Sequence, residues 1–256
     1  MVPESTATVA GIYRYPVKGL GPQQLQSVEL TAGEALPRDR AWAIENGAGR
    51  FDPENPIPLP KTNFLMLMRN ERLAALETRF DESDNSLTIL RNGKQVARGA
   101  LDTLIGRQLI EQFLAAYMPG DLRGAPHIVS APGHSFSDVG ENVVHIVNLA
   151  SVRELERLMQ REIDPLRFRA NLYVETAAPW AEFEWVAGGL RVGEARLSVT
   201  ARTDRCAATN VDPKTGARDM AIPAALERAF GHHDFGVYAV IEAGGWVRSG
   251  DPVSTL

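Results

Sequence analysis

The stretch at residues 195–216, "ARLSVTARTDRCAATNVDPKTG", decides the fold and raises the question of function. Hydrophobic and polar residues alternate along its first half, as in a β-strand with one buried face. The alternation stops at Asp204 and Arg205, and a polar turn follows Cys206. Cys206 is the only cysteine of the 256-residue chain, so it forms no internal disulfide. A strand end that opens into a loop is a place where a reactive group is both held and exposed.

Two interpretations of Cys206 follow from the residues alone. Cysteine is among the most buried residue types and usually behaves as a small hydrophobe, which favours a place in the core. The position before a polar loop favours a functional thiol instead. Arg205 would stabilise the thiolate and Asp204 would oppose it, so the neighbours do not decide between the two.

The composition excludes several classes of protein. With 44% hydrophobic and 23% charged residues, the chain has the composition of a globular protein of one large or two modest domains. A net charge of -5 gives no broad attraction to polyanions, so we expect neither a nucleic-acid partner nor membrane binding. The first fifteen residues lack the basic start and apolar core of a signal peptide, and no run approaches a membrane span. These features, with a single cysteine, predict a cytoplasmic protein.

Short apolar runs predict many strands. The Asn92-Gly93 pair between two such runs predicts a hairpin over residues 86–98. Further predicted strands lie at residues 143–147, 172–175, 195–201, 237–241 and 246–248.

Three helices are predicted. The first spans about residues 102–118, with Asp102 as its cap and with one apolar face: Leu104, Ile105, Leu109, Ile110, Phe113, Leu114 and Tyr117. A second opens with Ser151 and Glu154 in capping-box spacing, and a third runs over residues 223–230. Many short strands with few helices predict an α+β protein of mainly antiparallel sheet or barrel. The first helix marks the boundary between a domain at residues 1–100 and one at 101–256.

Basic residues beside turn signals are candidates for an anion pocket. Lys18 precedes Gly19, whose backbone can approach an anion closely, and Arg40 lies in a second basic segment. If residues 167–171 form a strand, Arg167, Arg169 and Asn171 share one face. The alternative for each cluster is a solvated charged surface. No glycine pattern matches a Walker A loop or a dinucleotide fingerprint.

Three stretches together resemble the MOSC family, the molybdenum cofactor sulfurase C-terminal domain proteins. They are "IYRYPVKGLGPQQLQSVELTAGEALPRDRAWAI" at residues 12–44, "RFRANLYVETAAPWAEFEWVAGGLRVGEARLSVTARTDRCAATNVDPKTG" at 167–216 and "GVYAVIEAGGWVRSGDPV" at 236–253. The order of these stretches is similar to that in the two-part members, such as the amidoxime-reducing components, which carry a MOSC N-terminal β-barrel region before a MOSC β-barrel domain. The resemblance therefore implies that architecture, with a site between the two parts.

The resemblance implies a molybdenum cofactor, molybdopterin with its metal, at that site. Cys206 stands at the position of the family's metal ligand, and a soft thiolate suits a redox-active metal. By the same matching, Lys18, Arg40, Arg169 and Asn171 fall where the family contacts the pterin and its phosphate. Charge-assisted hydrogen bonds to a dianion are the physical reason for such residues.

Four further residues match less closely. Thr209, Asn210 and Asp212 follow the cysteine and are candidates for shaping the metal pocket. Gly19 stands where close relatives have serine, so a backbone N–H replaces a side-chain contact there. The chain also lacks the ferredoxin-like cysteine cluster that some relatives append and the N-terminal anchor of others, so we expect neither.

The resemblance implies an oxidoreductase that converts small N-hydroxylated substrates, such as amidoximes and hydroxylamines, into amidines or amines. Four cysteines normally hold an iron–sulfur cluster, and this chain has one, so we expect an external electron donor: a ferredoxin, flavodoxin, cytochrome or reductase. We also expect a monomer. The alternative is a molybdenum cofactor or sulfur carrier of the sulfurtransferase type. Full-length sulfurases attach a pyridoxal phosphate binding domain, for which this chain has no room, and this favours the reductase. A third interpretation is a non-enzymatic anion-binding barrel with an inert cysteine.

Overall fold

The computed structural model describes residues 7–47 and 49–256. Over these residues it contains fifteen β-strands, three α-helices and five short 3-10 helices. The strands are β1 (Ala7–Arg14), β2 (Gln23–Leu25), β3 (Ser27–Leu30), β4 (Ala43–Asn46), β5 (Glu77–Asp81), β6 (Ser86–Arg91), β7 (Lys94–Ala100), β8 (Pro126–Val129), β9 (Val144–Asn148), β10 (Leu172–Thr176), β11 (Gly189–Val192), β12 (Ala195–Asp204), β13 (Asp234–Ala243), β14 (Gly245–Arg248) and β15 (Pro252–Thr255). The helices are α1 (Leu104–Tyr117), α2 (Leu149–Met159) and α3 (Ile222–Phe230). The predicted α+β class is confirmed.

Seven strands close into a barrel in the order β10-β9-β13-β12-β11-β15-β1, because β1 pairs with β10 as well as with β15. The β9–β10 pair is parallel, and the other pairs of the barrel are antiparallel. Burial alternates along β1 and β12, because alternate side chains of a barrel strand point into the barrel. The interior is aliphatic and includes Val9, Ile12, Val174, Leu190, Leu197, Val199, Val237 and Val253.

A second core lies beside the barrel. Strands β5, β6 and β7 form a three-stranded sheet, and α1 packs against β7. The predicted hairpin is confirmed as β6–β7, with Asn92 and Gly93 at φ 52° and 73° in its turn. Two-stranded sheets β3–β14 and β4–β8 complete the pairing. This core and the barrel lie on either side of the segments that form the candidate site. A domain boundary at residue 100 stays a prediction.

The predicted cap of α1 is wrong, and its predicted apolar face is confirmed only in part. Ile110 and Leu114 are buried in the second core, and Phe113 and Tyr117 pack against it. The cap is Thr103, whose hydroxyl accepts a hydrogen bond from the Gly106 N–H at 3.0 Å. The Asp102 carboxylate bonds to the Asn85 side chain instead. Gly106 faces the sheet and fixes the buried side of the helix, so Leu104 and Ile105 remain 65% and 72% exposed, and Leu109 is 48% exposed.

The predicted capping box of α2 is also wrong. The helix begins after Asn148, whose side chain accepts from the Ala150 N–H at 3.0 Å. Ser151 lies inside the first turn, where its hydroxyl donates to the buried Glu182 carboxylate at 2.8 Å. A tertiary hydrogen bond thus accounts for the serine. The third helix is confirmed, and it ends at Gly231 with φ 72°.

No helix within residues 7–47 and 49–256 combines the length and the apolar character needed to cross a bilayer. Residues 1–6, which contribute to the expectation of no signal peptide, lie outside the described residues.

We expect Gly106→Ala to destabilise the protein. A Cβ at residue 106 would lie 2.2 Å from the carbonyl oxygen and 2.5 Å from the nitrogen of Ala100. This overlap should cost about 2 kcal/mol or more, which exceeds the gain of about 1 kcal/mol from replacing a helical glycine. Denaturant unfolding measures the difference, with Gln108→Ala on the exposed face of α1 as the control. A variant as stable as the control would contradict the close α1–β7 contact.

Candidate functional site

A cleft of about 460 Å³ opens between the barrel and the second core. Its walls come from the β1–β2 loop, from segments around residues 40, 66 and 136, from residues 168–171 and from the end of β12. Of the nine residues predicted for the site, the cleft brings six together: Lys18, Gly19, Arg40, Arg169, Asn171 and Cys206.

Tyr15 organises the inner end of the cleft. Its ring is fully buried, and the guanidinium carbons of Arg40 and Arg169 lie 4.7 and 4.2 Å from its centroid. Arg40 Nη2 donates to the carbonyl oxygen of Arg169 at 2.8 Å, and Arg169 Nη1 donates to that of Leu20 at 2.8 Å. Asp39 pairs with Arg40 and also accepts from the Tyr15 N–H at 2.7 Å. Two cations therefore share one ring, and one of them also pairs with a carboxylate.

Arg40 and Arg169 both have a left-handed backbone, with φ 49° and 53°. A side chain other than that of glycine or asparagine rarely adopts this conformation, and strain of this kind is concentrated at functional sites. Burial lowers the pKa of Arg169, and the charge of Arg40 lowers it further. Strained backbone and crowded positive charge therefore coincide at the same two residues of this end of the cleft.

Residues 167–171 do not form the strand on which Arg167, Arg169 and Asn171 would share a face. Residues Pro165–Phe168 form a 3-10 helix that Arg169 ends. Arg167 consequently points away from the cleft and pairs with Asp212 at 3.1 Å and Asp219 at 2.8 Å. Arg167 and Arg169 do not share a face, because helical geometry separates positions that would lie together on a strand.

Arg205 extends the positive charge toward Cys206. Its Nη2 donates to the carbonyl oxygen of Phe168 at 2.8 Å, and its Nη1 lies 3.4 Å from His145 Nε2. Arg205 Nε is buried and has no hydrogen-bond partner among residues 7–47 and 49–256. Burial, followed by the charges of Arg205 and Arg40, holds the pKa of His145 well below its usual range, so this imidazole is neutral.

Lys18 binds the loop at residues 130–143, which connects β8 with β9. Its ammonium donates to the carbonyl oxygen of Phe136 at 2.7 Å and to Asp138 Oδ1 at 2.5 Å, and Lys61 lies 3.8 Å from the same carboxylate. Burial lowers the pKa of Lys18. Burial alone would raise the pKa of Asp138, but the charge of Lys18 outweighs it and the pKa falls.

Cys206 lies two residues after the end of β12 and is the N-cap of the 3-10 helix Ala207–Asn210. It is half-buried and lines the cleft, which the interpretation as a core residue did not anticipate. Asn171 is buried beside it in the lining, with Oδ1 accepting from the His145 N–H at 3.1 Å and Nδ2 donating to the Tyr13 carbonyl at 3.2 Å. Its side chain therefore fixes two neighbouring segments of the wall.

Ala208 lines the cleft, but Thr209, Asn210 and Asp212 do not. The Thr209 hydroxyl donates to the Cys206 carbonyl at 2.9 Å, and Asn210 Oδ1 accepts from the N–H of Ile222 at 2.8 Å. Asp212 accepts from the backbone N–H of Thr215 at 2.7 Å in the following turn. These hydrogen bonds hold the Cys206 loop, and a role of Thr209, Asn210 and Asp212 in shaping the metal pocket stays a prediction.

Several residues of the site were not predicted from the sequence. They are Asp39, Asp138, His145 and Tyr238 in the lining, together with Tyr15 behind the arginines. None belongs to a motif with a fixed spacing. The left-handed arginines were equally invisible in the sequence, since nothing in "LPRDRAW" signals a positive φ.

The lining carries the cations Lys18, Arg40, Lys61, Arg169, Arg202 and Arg205 and the carboxylates Asp39, Asp138 and Asp204. This is an excess of three positive charges in a chain of net charge -5. Guanidinium groups suit a phosphate dianion, and a half-exposed thiol suits a soft metal. The unpartnered Arg205 Nε offers a further donor. The residues present therefore fit a phosphate-bearing cofactor with a thiol-ligated metal.

We expect Asp138→Asn to lower the melting temperature by roughly 2–4 °C at pH 7, because it leaves the Lys18 ammonium buried without a counter-charge. In the variant, Lys18 loses its proton more easily in the folded state than in the unfolded one. The difference in melting temperature between the variant and the wild type should therefore narrow as the pH rises toward about 10. This difference should also narrow as the pH falls toward about 3, where Asp138 of the wild type becomes protonated. Thermal unfolding across this range measures both trends. The double variant Lys18→Met, Asp138→Asn removes the buried charge, and a deficit that persists in it would refute the explanation.

The chain is similar in sequence to several known proteins. The chain is 24% identical to human mitochondrial amidoxime-reducing component 1, over 99% of this chain and 84% of that protein. It is 25% identical to the molybdenum cofactor sulfurase of Caenorhabditis elegans, over 96% of this chain but only 36% of that longer protein. Among solved structures, the YUAD protein from Bacillus subtilis aligns over 97% of this chain and 94% of that one, with 14% identity and a TM-score of 0.46.

Two family models match the chain in tandem. Residues 6–116 match the MOSC N-terminal beta barrel domain. Residues 123–254 match the MOSC domain, and this second match spans more than half of the 256 residues. The protein is therefore a member of the MOSC domain family, with a MOSC N-terminal beta barrel domain ahead of its MOSC domain.

Proposed function

We propose that the cleft binds a molybdenum cofactor and that the protein reduces small N-hydroxylated compounds. The observation that carries the proposal is the meeting of a half-exposed thiol, Cys206, with an excess of cations in one cleft. An anion-binding wall and a soft metal ligand are both needed to hold such a cofactor. The names of the relatives, an amidoxime-reducing component and several molybdenum cofactor sulfurases, support the same chemistry.

Each part of the wall has a role in this proposal. Arg40 and Arg169 would bind the phosphate, because the Tyr15 ring holds both guanidiniums in place before any ligand arrives. Lys18 would add a third positive charge. Gly19 would offer its backbone N–H, and it has to remain glycine because it has φ 85° and a Cβ would lie 2.9 Å from the Leu65 carbonyl oxygen. Cys206 would bind the metal.

The bound cofactor would supply two-electron chemistry at a nitrogen–oxygen bond. An N-hydroxylated substrate that accepts two electrons and two protons loses its oxygen as water and leaves an amine or amidine. A ferredoxin, flavodoxin, cytochrome or reductase would deliver the electrons. The loop at residues 130–143, held by Lys18 through Phe136 and Asp138, would cover the site and limit access of bulk water.

The second candidate is a cofactor or sulfur carrier in which Cys206 holds the cargo. One observation favours it: the sulfurase of C. elegans aligns with nearly all of this chain, while the chain spans about a third of that protein. A carrier would bind the cofactor without turning over N-hydroxylated compounds. Turnover of benzamidoxime by the molybdenum-loaded protein, with a reduced viologen dye as electron source, separates the two candidates.

Cys206→Ser should abolish this turnover while leaving the thermal unfolding curve nearly unchanged. Serine has a similar size, but its hydroxyl stays protonated where a thiol ionises, so it is a poor metal ligand. Protein from a cofactor-producing host should be assayed for molybdenum content and for benzamidoxime reduction, with Ala207→Ser as the neighbouring control. Wild-type turnover in the serine variant would show that Cys206 is not the ligand.

Arg169→Ala should lower cofactor occupancy about tenfold to hundredfold under limiting supply, because a hydrogen bond to a charged group contributes roughly 1.5–3 kcal/mol. Arg38→Ala is a matched control: Arg38 is exposed and lies outside the cleft lining, and its φ of 63° is also left-handed. Molybdenum per protein, measured by elemental analysis, reports the effect. Equal cofactor occupancy in the two variants would show that Arg169 is not part of the binding site.

A further inference from the structure

A segment that the cation cluster does not include forms another part of the cleft wall. Met66, Leu67 and Met68 line it in succession. Met66 and Leu67 are 7% and 8% exposed, whereas Met68 is half-buried. Leu67 also packs into the second core, and this contact holds the segment at residues 66–68 against the body of the protein. The wall at this point is therefore apolar and is fixed to the body of the protein.

This apolar segment lies alongside the Cys206 loop, and Arg218 joins the two. Its Nη2 donates to the carbonyl oxygens of Leu67 at 3.2 Å and Met68 at 2.6 Å, and its Nη1 donates to that of Ala207 at 3.4 Å. An ion pair with Glu71 at 2.9 Å holds the guanidinium in position. One side chain thus fastens Met68 to the residue that follows Cys206.

A second contact brings the same elements together. Gly216, with φ 74°, approaches the Glu71 backbone so closely that a Cβ there would lie 2.8 Å from the carbonyl oxygen. The loop from Cys206 to Arg218 therefore packs directly on the turn that follows Met68. The distance between the thiol and the methionine segment is set by packed backbone as well as by Arg218.

The side chains of this region share an uncharged, apolar character. Methionine is flexible and polarizable, and it adapts to ligands of different shape, particularly to aromatic rings. The neighbouring apolar residues of the lining are Val139, Val143 and Ala208. A substituent that packs here is removed from water without meeting an unpaired charge, which favours apolar groups.

We propose that Met66 and Met68 form a specificity wall, and that it selects N-hydroxylated compounds whose substituent is apolar and uncharged. Arg218 is the positioning residue that keeps this wall beside Cys206. The inference rests on the proposed function, which assigns Cys206 to the reacting centre. It adds the class of substituent that the cleft accepts and the residues that recognise it.

The binding test compares two amidines that carry the same charge. Benzamidine has an aromatic substituent and acetamidine a methyl group, so a difference between them reports contacts with the substituent alone. Calorimetry on the protein should show benzamidine binding about tenfold more tightly. The preference should disappear in Met66→Ala, Met68→Ala and persist in Met159→Ala, a half-buried methionine on α2. Equal affinity of the wild type for the two amidines would overturn the proposal.

The kinetic test uses the molybdenum-loaded protein with a reduced viologen dye. In the double methionine variant, kcat/KM should fall about tenfold for benzamidoxime and stay unchanged for hydroxylamine, which has no substituent to recognise. The lysine of Arg218→Lys cannot reach all three carbonyl groups. This variant should therefore lower kcat/KM for benzamidoxime, and its melting temperature should stay within about 2 °C of the wild-type value. An equal loss for both substrates would contradict a specificity role. If the benzamidine preference is present but neither compound is reduced, the proposed function fails while the apolar wall stands.

Discussion

Two guanidinium groups on one buried phenol ring hold the site together. Arg40 and Arg169 are 129 residues apart in sequence, yet they meet on Tyr15, and one donates to the carbonyl group of the other. Like charges repel, and burial makes the repulsion stronger. The arrangement persists because Asp39, the Leu20 carbonyl and the Tyr15 ring oppose the repulsion. The folded protein therefore carries a local excess of positive charge in the cleft.

This constraint explains the form of the surrounding backbone. Both arginines adopt left-handed φ angles, which point their side chains inward from the end of a turn and from the end of a 3-10 helix. The loop at residues 130–143 is fastened over them, with the Phe136 N–H donating to the Arg40 carbonyl at 2.8 Å. Strained backbone and crowded like charges lower the stability of a fold, and strain of this kind is concentrated at functional sites.

Local signals in the sequence predicted local structure well. Asn92-Gly93 marked its hairpin, Gly231 marked the end of α3, and the alternation through residues 195–201 marked β12. These signals failed where contacts with residues distant in the sequence determine the local structure. Gly99 against Gly106 set the buried face of α1, and Glu182 bound the serine that resembled a cap.

The candidate site shows the same division. Basic residues beside turns and the lone cysteine predicted six of its lining residues, and the resemblance to a known family sharpened that choice. The assignment of Arg167 failed because a 3-10 helix replaced the expected strand. Tyr15 and His145 were missed because their roles come from burial among partners far away in the sequence, which spacing does not reveal.

The closing strand of the barrel makes the two matched regions of the chain depend on each other. β1 precedes the MOSC match at residues 123–254 by more than a hundred residues, yet it fills the gap between β10 and β15. A segment containing the C-terminal strands alone would leave two open edges, which are prone to pair with other chains. The strands of the second matched region therefore depend on the eight residues of β1 to complete their barrel.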